Sequence, residues 1–203
     1  SVRNRAILKA QPARTWLPSM QVTKPGKKAV TRTAVGCRDV ARATQFGGLD
    51  TLVVLTIDPS TGLTPVDRDA VMTDGEIIYG SGTSLFVTTP RWIDSSSATT
   101  SDVPSGARTQ IHRFDISMPS ATGYSASGSV PGYVLNQFSL SEYDGVLRVA
   151  STNEPQWMDG EQAKRSESQV TTLAQDGRRL VERGKVTGLG VSERIYGVRF
   201  VGT

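Results

Sequence analysis

The chain has 203 residues, 37% hydrophobic and 6% aromatic, with a formal net charge of +4. That length can bury one sizeable core, and no apolar run approaches the roughly 20 residues that cross a bilayer. One cysteine, Cys37, excludes an internal disulfide and a CxxC metal knuckle, and one histidine, His112, excludes a multi-histidine metal site within the chain.

Charge divides the chain. Residues 1–45 hold ten Lys/Arg and one acid, Asp39, a net of +9; the remainder holds thirteen Lys/Arg and eighteen Asp/Glu, a net of −5. The basic residues alternate with Pro, Thr and Ala rather than with aromatics. That pattern fits a solvated arm on an acidic body better than a nucleic-acid surface. Within this basic arm (1–48), Arg3 to Ala10 reads as a short helix stopped at Pro12. Trp16 to Val22 reads as an extended piece, and Lys24-Pro-Gly-Lys-Lys28 as an exposed turn. Cys37 reads as a small buried hydrophobe in preference to half of a disulfide with a partner outside the chain. Ser1-Val-Arg-Asn-Arg5 lacks the apolar stretch of a secretory signal, so an export signal is expected upstream.

From residue 49 the grammar is that of short strands. Thr51 to Ile57 is β-branched and apolar, and turns at Pro59-Ser-Thr-Gly62; Pro65 to Met72 follows, ended by Thr73-Asp74-Gly75. Asp67-Arg-Asp69 opens like a calcium loop but lacks its glycine and closing glutamate, and reads as exposed strand positions. Two stretches then follow one script. The first is Glu76-Ile-Ile-Tyr-Gly80, Ser84 to Trp92, a polar loop, and Thr109 to Ser117. The second is Val134 to Leu140, Val146 to Trp157, a polar loop, and Gln169 to Asp176. A third copy opens at Glu193-Arg-Ile-Tyr-Gly197.

Tandem copies of four short strands are the mark of a β-propeller. The prediction is an all-β partial propeller of four-stranded antiparallel blades, strands a to d running outward from the axis, in residues 49–203. About 50–72 supplies strands c and d of a first blade. The second blade (76–130) has strands at 76–80, 84–90, 109–116 and 122–130. The third (133–186) has strands at 133–140, 145–152, 169–175 and 178–186. Residues 193–203 supply strand a of a fourth. Ser81-Gly82, Asp144-Gly145 and Asp176-Gly177 suit hairpin turns. Asp58, Asp115 and Asp176, each closing a strand c, are expected to accept backbone hydrogen bonds rather than to act as catalytic acids.

Meander connectivity puts the b–c and d–a loops on one face. Both long insertions, 90–108 and 153–168, are b–c loops. Each opens on Pro-x-Trp: Pro90-Arg91-Trp92 and Pro155-Gln156-Trp157. Long loops on a rigid scaffold are where function concentrates. A tryptophan at a loop mouth stacks on a sugar, base or cation, and Arg91 adds a donor fork; the competing reading is that each tryptophan closes the core of its own blade. The candidate ligand-binding residues are Arg91, Trp92, Asp94, Glu154, Trp157 and Asp159. With Asp102 and Glu161, these carboxylates also admit glycosidase chemistry if two stand at the required separation. Nucleophile-elbow, Walker and dinucleotide motifs are absent, and no metal or cofactor is expected.

Leu52 to Asp58, Ser84 to Trp92, Thr109 to Ser117 and, most specifically, Gly128 to Ala150 and Glu193 to Phe200 resemble secreted bacterial and archaeal proteins with a C-terminal β-propeller domain distantly related to WD40 repeats. The resemblance covers about 50–203, and Arg3-Asn-Arg-Ala-Ile-Leu8 resembles an insertion in that family. It implies a longer parent chain with an export or lipid-anchor signal upstream, further blades downstream, and a secreted or surface-attached location. It implies no chemistry, and the WD dipeptide is absent. The expected function is an exported, non-catalytic scaffold that binds protein or cell-envelope polymer through the long-loop face. The alternatives are an extracellular glycan hydrolase or lyase, and polyanion binding by the arm. Because an incomplete ring leaves sheet edges open, the remaining blades of a longer chain, or a second copy, are expected partners.

Overall fold

The structure is a computed structural model that describes residues 2–45, 47–93, 106–154 and 165–202, with the backbone alone for Val2, Trp92, Ile93 and Gly106. A helix, α1 (Val2–Ala10), and a 3-10 turn (Ala13–Trp16) precede a two-stranded hairpin of β1 (Ser19–Val22) and β2 (Val30–Thr33). Next come β3 (Val40–Arg42), β4 (Thr51–Ile57) and β5 (Pro65–Met72). The second blade is β6 (Ile77–Gly80), β7 (Ser84–Ile93), β8 (Gly106–Met118) and β9 (Ala121–Pro131). The third is β10 (Leu140–Tyr143), β11 (Val146–Asn153), β12 (Glu167–Asp176) and β13 (Arg179–Leu189). Each of these blades is an antiparallel meander. Their outer strands meet at one parallel bridge, Arg179 to Ser127. In the first blade β4 pairs antiparallel with β5, and β3 lies parallel on the other side of β5. The arm thus covers the outer edge of that strand, which would otherwise offer free backbone groups. The all-β partial-propeller class is what the structure shows. No helix among the described residues is long and apolar enough to cross a membrane.

The period of two along each strand glues the blades together. On β7, Phe86 points into a core shared with the third blade, while Leu85 and Val87 point into a core shared with the first. On β8, Ile111 and Phe114 divide in the same way. The first core joins Phe86, Ile111 and Val130 to Leu147, Val149, Leu173 and Leu180. Full burial of each such side chain contributes about 1.5–3 kcal/mol, so face-to-face contact, not edge pairing, holds the stack. Gly128 sets the spacing of the outer strands: a Cβ there would stand 2.5 Å from the Leu180 carbonyl oxygen.

Several expectations are corrected. Strand a of the third blade is 140–143, not 133–140. Asn136 turns its side chain back to accept from the Phe138 N–H at 3.0 Å, and the 3-10 turn Gln137–Ser139 replaces the strand. Residues 193–202 form no strand, because among the described residues no second strand lies beside them to accept a ladder; they cross the third blade instead, with Arg148 donating to the Gly202 carbonyl at 3.1 Å. Cys37 is exposed, at the start of the surface turn Cys37–Asp39. Asp67 and Asp69 are half-buried rather than exposed, since Asp67 faces the second blade and accepts from the Thr122 N–H at 2.6 Å. The turns at Asp144-Gly145, Asp58 and Asp115 have the expected chemistry. Asp144 and Gly145 both have positive φ, 47° and 74°, as a type I′ hairpin requires. Asp58 and Asp115 accept from the backbone N–H groups of Ser60 and Ser117, both at 2.9 Å.

Between the first two blades lies a buried polar seam. His112 is fully buried. Its Nδ1 lies 3.2 Å from the Tyr124 hydroxyl and its Nε2 3.1 Å from the Thr73 hydroxyl, which donates to the Gly47 carbonyl at 3.3 Å. Tyr124 donating to Nδ1, and Nε2–H donating to Thr73, pairs both nitrogens of a neutral ring. Burial pushes the His112 pKa from 6.5 down to about 4. Acidification from pH 6.5 to 4 therefore favours the unfolded chain, which takes up a proton the folded form refuses, by up to roughly 3 kcal/mol. Asp69 acts in the opposite sense. Burial, then the Asp67 carboxylate, push it from 3.8 up to about 6, so acidification through that window favours the folded form. Solvent screening at this half-exposed group makes its share the smaller. Asp69→Asn keeps a donor toward Asp67 without the charge. We expect it to raise the urea midpoint at pH 7 and to steepen the loss of stability between pH 6.5 and 4.5. A midpoint at pH 7 that falls would contradict this.

Candidate functional site

The face that carries the b–c loops is built from the ends of β7, β8, β11 and β12 together with the d–a connections 73–76 and 132–139. Gly132 organises its centre. It adopts φ +77°, and its N–H donates to the Ala107 carbonyl at 2.7 Å. The next residue, Tyr133, is clamped to the end of β11 by two 3.0 Å backbone bonds with Thr152. This places the Tyr133 phenol on the Glu154 carboxylate, to which it donates a short hydrogen bond. Burial first, then Glu154, push the Tyr133 pKa up to about 12, so it stays a donor throughout the physiological range.

The chain returns to this point through 193–196. The Ile195 N–H donates to Thr152 Oγ1 at 3.1 Å. That bond fixes Arg194 and Tyr196 on either side, the Arg194 guanidinium 5.1 Å above the Tyr196 ring. Tyr196, hydrogen-bonded to Arg194, holds the guanidinium above its ordinary value; Tyr133 and Glu154 act in the same direction. Tyr196 itself is 77% exposed. The result is an anion, a cation, a phenol donor and an open aromatic face at the root of one long loop.

Of the residues expected at the site, the structure places Glu154 in this cluster, exposed just beyond β11. Arg91 is half-buried on β7 opposite Arg108. Burial holds Arg108 below its usual value; Glu182 opposes this and the Arg91 charge adds to it. Trp92 lies on β7, but its side chain is outside the described residues, as are Asp94, Trp157, Asp159, Asp102 and Glu161. Tyr133, Arg194 and Tyr196 were not expected here, because the repeat assigned both segments to inner strands. The signal was Gly132 beside Tyr133, and Arg194 and Tyr196 two apart, which puts them on the same side of an extended chain.

Four-stranded meander blades packed face to face define a β-propeller repeat protein. The family model described as "Beta propeller domain" matches residues 2–203, arm included, and the chain belongs to this family. It is 38% identical over 95 residues to an uncharacterized protein of Archaeoglobus fulgidus, covering 47% of this chain and 13% of that protein. It is 42% identical over 76 residues to an uncharacterized protein of Methanocaldococcus jannaschii, covering 37% of this chain and 11% of that one. The chain thus spans only about an eighth of these relatives. No solved structure matches.

Proposed function

We propose that this protein is an exported, non-catalytic binding scaffold that engages a protein or cell-envelope polymer through its long-loop face. The observation that carries the reading is the cluster of Glu154, Tyr133, Arg194 and the open Tyr196 ring at the root of the third blade's b–c loop. Tyrosine and arginine dominate binding hot spots because they give large contact area and directed donors at low entropic cost. Glu154 is engaged by a phenol and faces a guanidinium, an arrangement suited to recognition rather than to paired-carboxylate hydrolysis. Secretion rests on the resemblance described above. The far side of the third blade leaves Val186 58% exposed and the near end of the first leaves Ile57 42% exposed; these faces favour further blades of a longer chain as neighbours.

The test is binding of the chain to an array of purified envelope glycans and surface proteins, with product detection. Tyr196→Ala and Arg194→Ala are each expected to weaken capture about tenfold, on the order of 1.4 kcal/mol, with an unchanged melting temperature. Turnover of any glycan, or capture indifferent to both substitutions, would sink the reading.

A further inference from the structure

On the same face, a cleft of about 340 Å³ opens between the second and third blades, walled by Ile77, Pro90, Tyr133 and Leu135, with Glu76 exposed at its rim and Thr88 among its lining. Thr88 is 1% exposed and its hydroxyl has no hydrogen-bond partner among the described residues. Its neighbours do not share that fate. Thr89 donates to the Asp74 carbonyl, Thr109 donates to the Gly132 carbonyl at 2.9 Å, and the carbonyl of Thr88 itself accepts from the Glu76 N–H at 2.9 Å. A buried hydroxyl without a partner costs free energy, and such groups are rare enough to require an explanation.

We propose that this cleft is a subsite for a neutral, hydroxyl-rich ligand, a saccharide unit. The proposal rests on the binding role of this face argued above and names what the face binds. A hydroxyl both donates and accepts, so a group that does the same, water or another hydroxyl, pairs Thr88 fully. An ammonium only donates and leaves the Thr88 proton unpaired. A carboxylate or phosphate meets no cation among the described lining residues and is repelled by Glu76. A sugar hydroxyl satisfies Thr88 in both senses, a second donates to the Glu76 carboxylate, and the ring's apolar edges lie on Ile77, Leu135 and Tyr133. The volume is at the low end for small-molecule sites, which fits one unit of a chain rather than a large ligand. Tyr133 lines the cleft and also contacts Glu154, so a polymer seated here continues onto the Arg194 and Tyr196 cluster.

The experiment is titration calorimetry of the full chain with three probes: mannotetraose, chitotetraose and tetralysine. At least one tetrasaccharide is expected to bind and tetralysine is not. Thr88→Val, which keeps the β-branched shape without the hydroxyl, is expected to lose tenfold or more in saccharide affinity with a melting temperature equal to or above the parent. Thr88→Ser is expected to retain binding. Undiminished saccharide binding by Thr88→Val overturns the subsite, as does binding of tetralysine alone or of no probe. If Tyr196→Ala abolishes saccharide binding and Thr88→Val does not, the subsite fails while the face remains the binding surface. The reverse pattern keeps the subsite and removes the cluster from the reading.

Discussion

Gly132→Ala is expected to destabilise the protein by roughly 2–5 kcal/mol, the sum of left-handed strain and overpacking. The backbone at Gly132 has φ +77°, and a Cβ there would stand 2.2 Å from the Thr152 carbonyl oxygen and 2.5 Å from its carbon. Neither atom can yield, because Thr152 is held by two backbone bonds to Tyr133. Gly145→Ala is the control. It has nearly the same φ, +74°, but nothing within 4 Å of a Cβ, so only the conformational cost of about 1–2 kcal/mol applies. Urea denaturation of the two variants measures the difference. Equal losses would show that the close approach of Gly132 to β11 does not carry the effect. Gly132→Ala also moves Tyr133 off Glu154, so binding at this face should fall with stability.

Arg113→Met is expected to cost about 3 kcal/mol, because it leaves a buried charge without its cation. The Glu142 side chain on β10 is 6% exposed, and Arg113 on β8 stands 3.9 Å from it across the second and third blades. Ser84 relays between them: its hydroxyl donates to Glu142 at 3.0 Å and accepts from Arg113 at 2.8 Å. Ser81 also donates to Glu142, and the Glu142 N–H donates to the Tyr79 hydroxyl at 2.9 Å. Removing the charge as well, in Arg113→Met/Glu142→Gln, should restore a large part of the loss, since two neutral partners carry no uncompensated charge. A double-mutant cycle with additive losses would show that the two residues act independently.

Much of the fold was legible in the chain, for a physical reason. Strand identity follows from alternation and β-branching along local sequence, and Leu85-Phe86-Val87 displays both. The hairpin at Asp144-Gly145 was legible because the two positive φ values need those residue types. Where the reading slipped, a side chain competed with the ladder. Val134 and Leu135 have strand composition, but Asn136 caps a 3-10 turn and Gly132 forces a left-handed bend, so the strand begins six residues beyond Val134. Asp67 and Asp69 are half-buried for a different reason. Asp67 meets Thr122, 55 residues away, and no local pattern encodes that distance.

The site was less legible than the fold. Glu154 stood out because it borders a long loop. Its partners Tyr133 and Arg194 are 21 residues before it and 40 after it, and they meet only because Gly132 and Thr152 pin two returning segments to one strand end. The amino-acid sequence alone determined the repeat, the period-two strands, the turn types and the face from which the long loops spring, because these depend on residues close along the chain. The tertiary structure alone decided which carboxylate meets a phenol, where His112 hides, and why the hydroxyl of Thr88 has no partner among the described residues. Those outcomes depend on how closely neighbouring blades approach, and between the second and third blades that distance is set by the absence of a Cβ at Gly128 and Gly132.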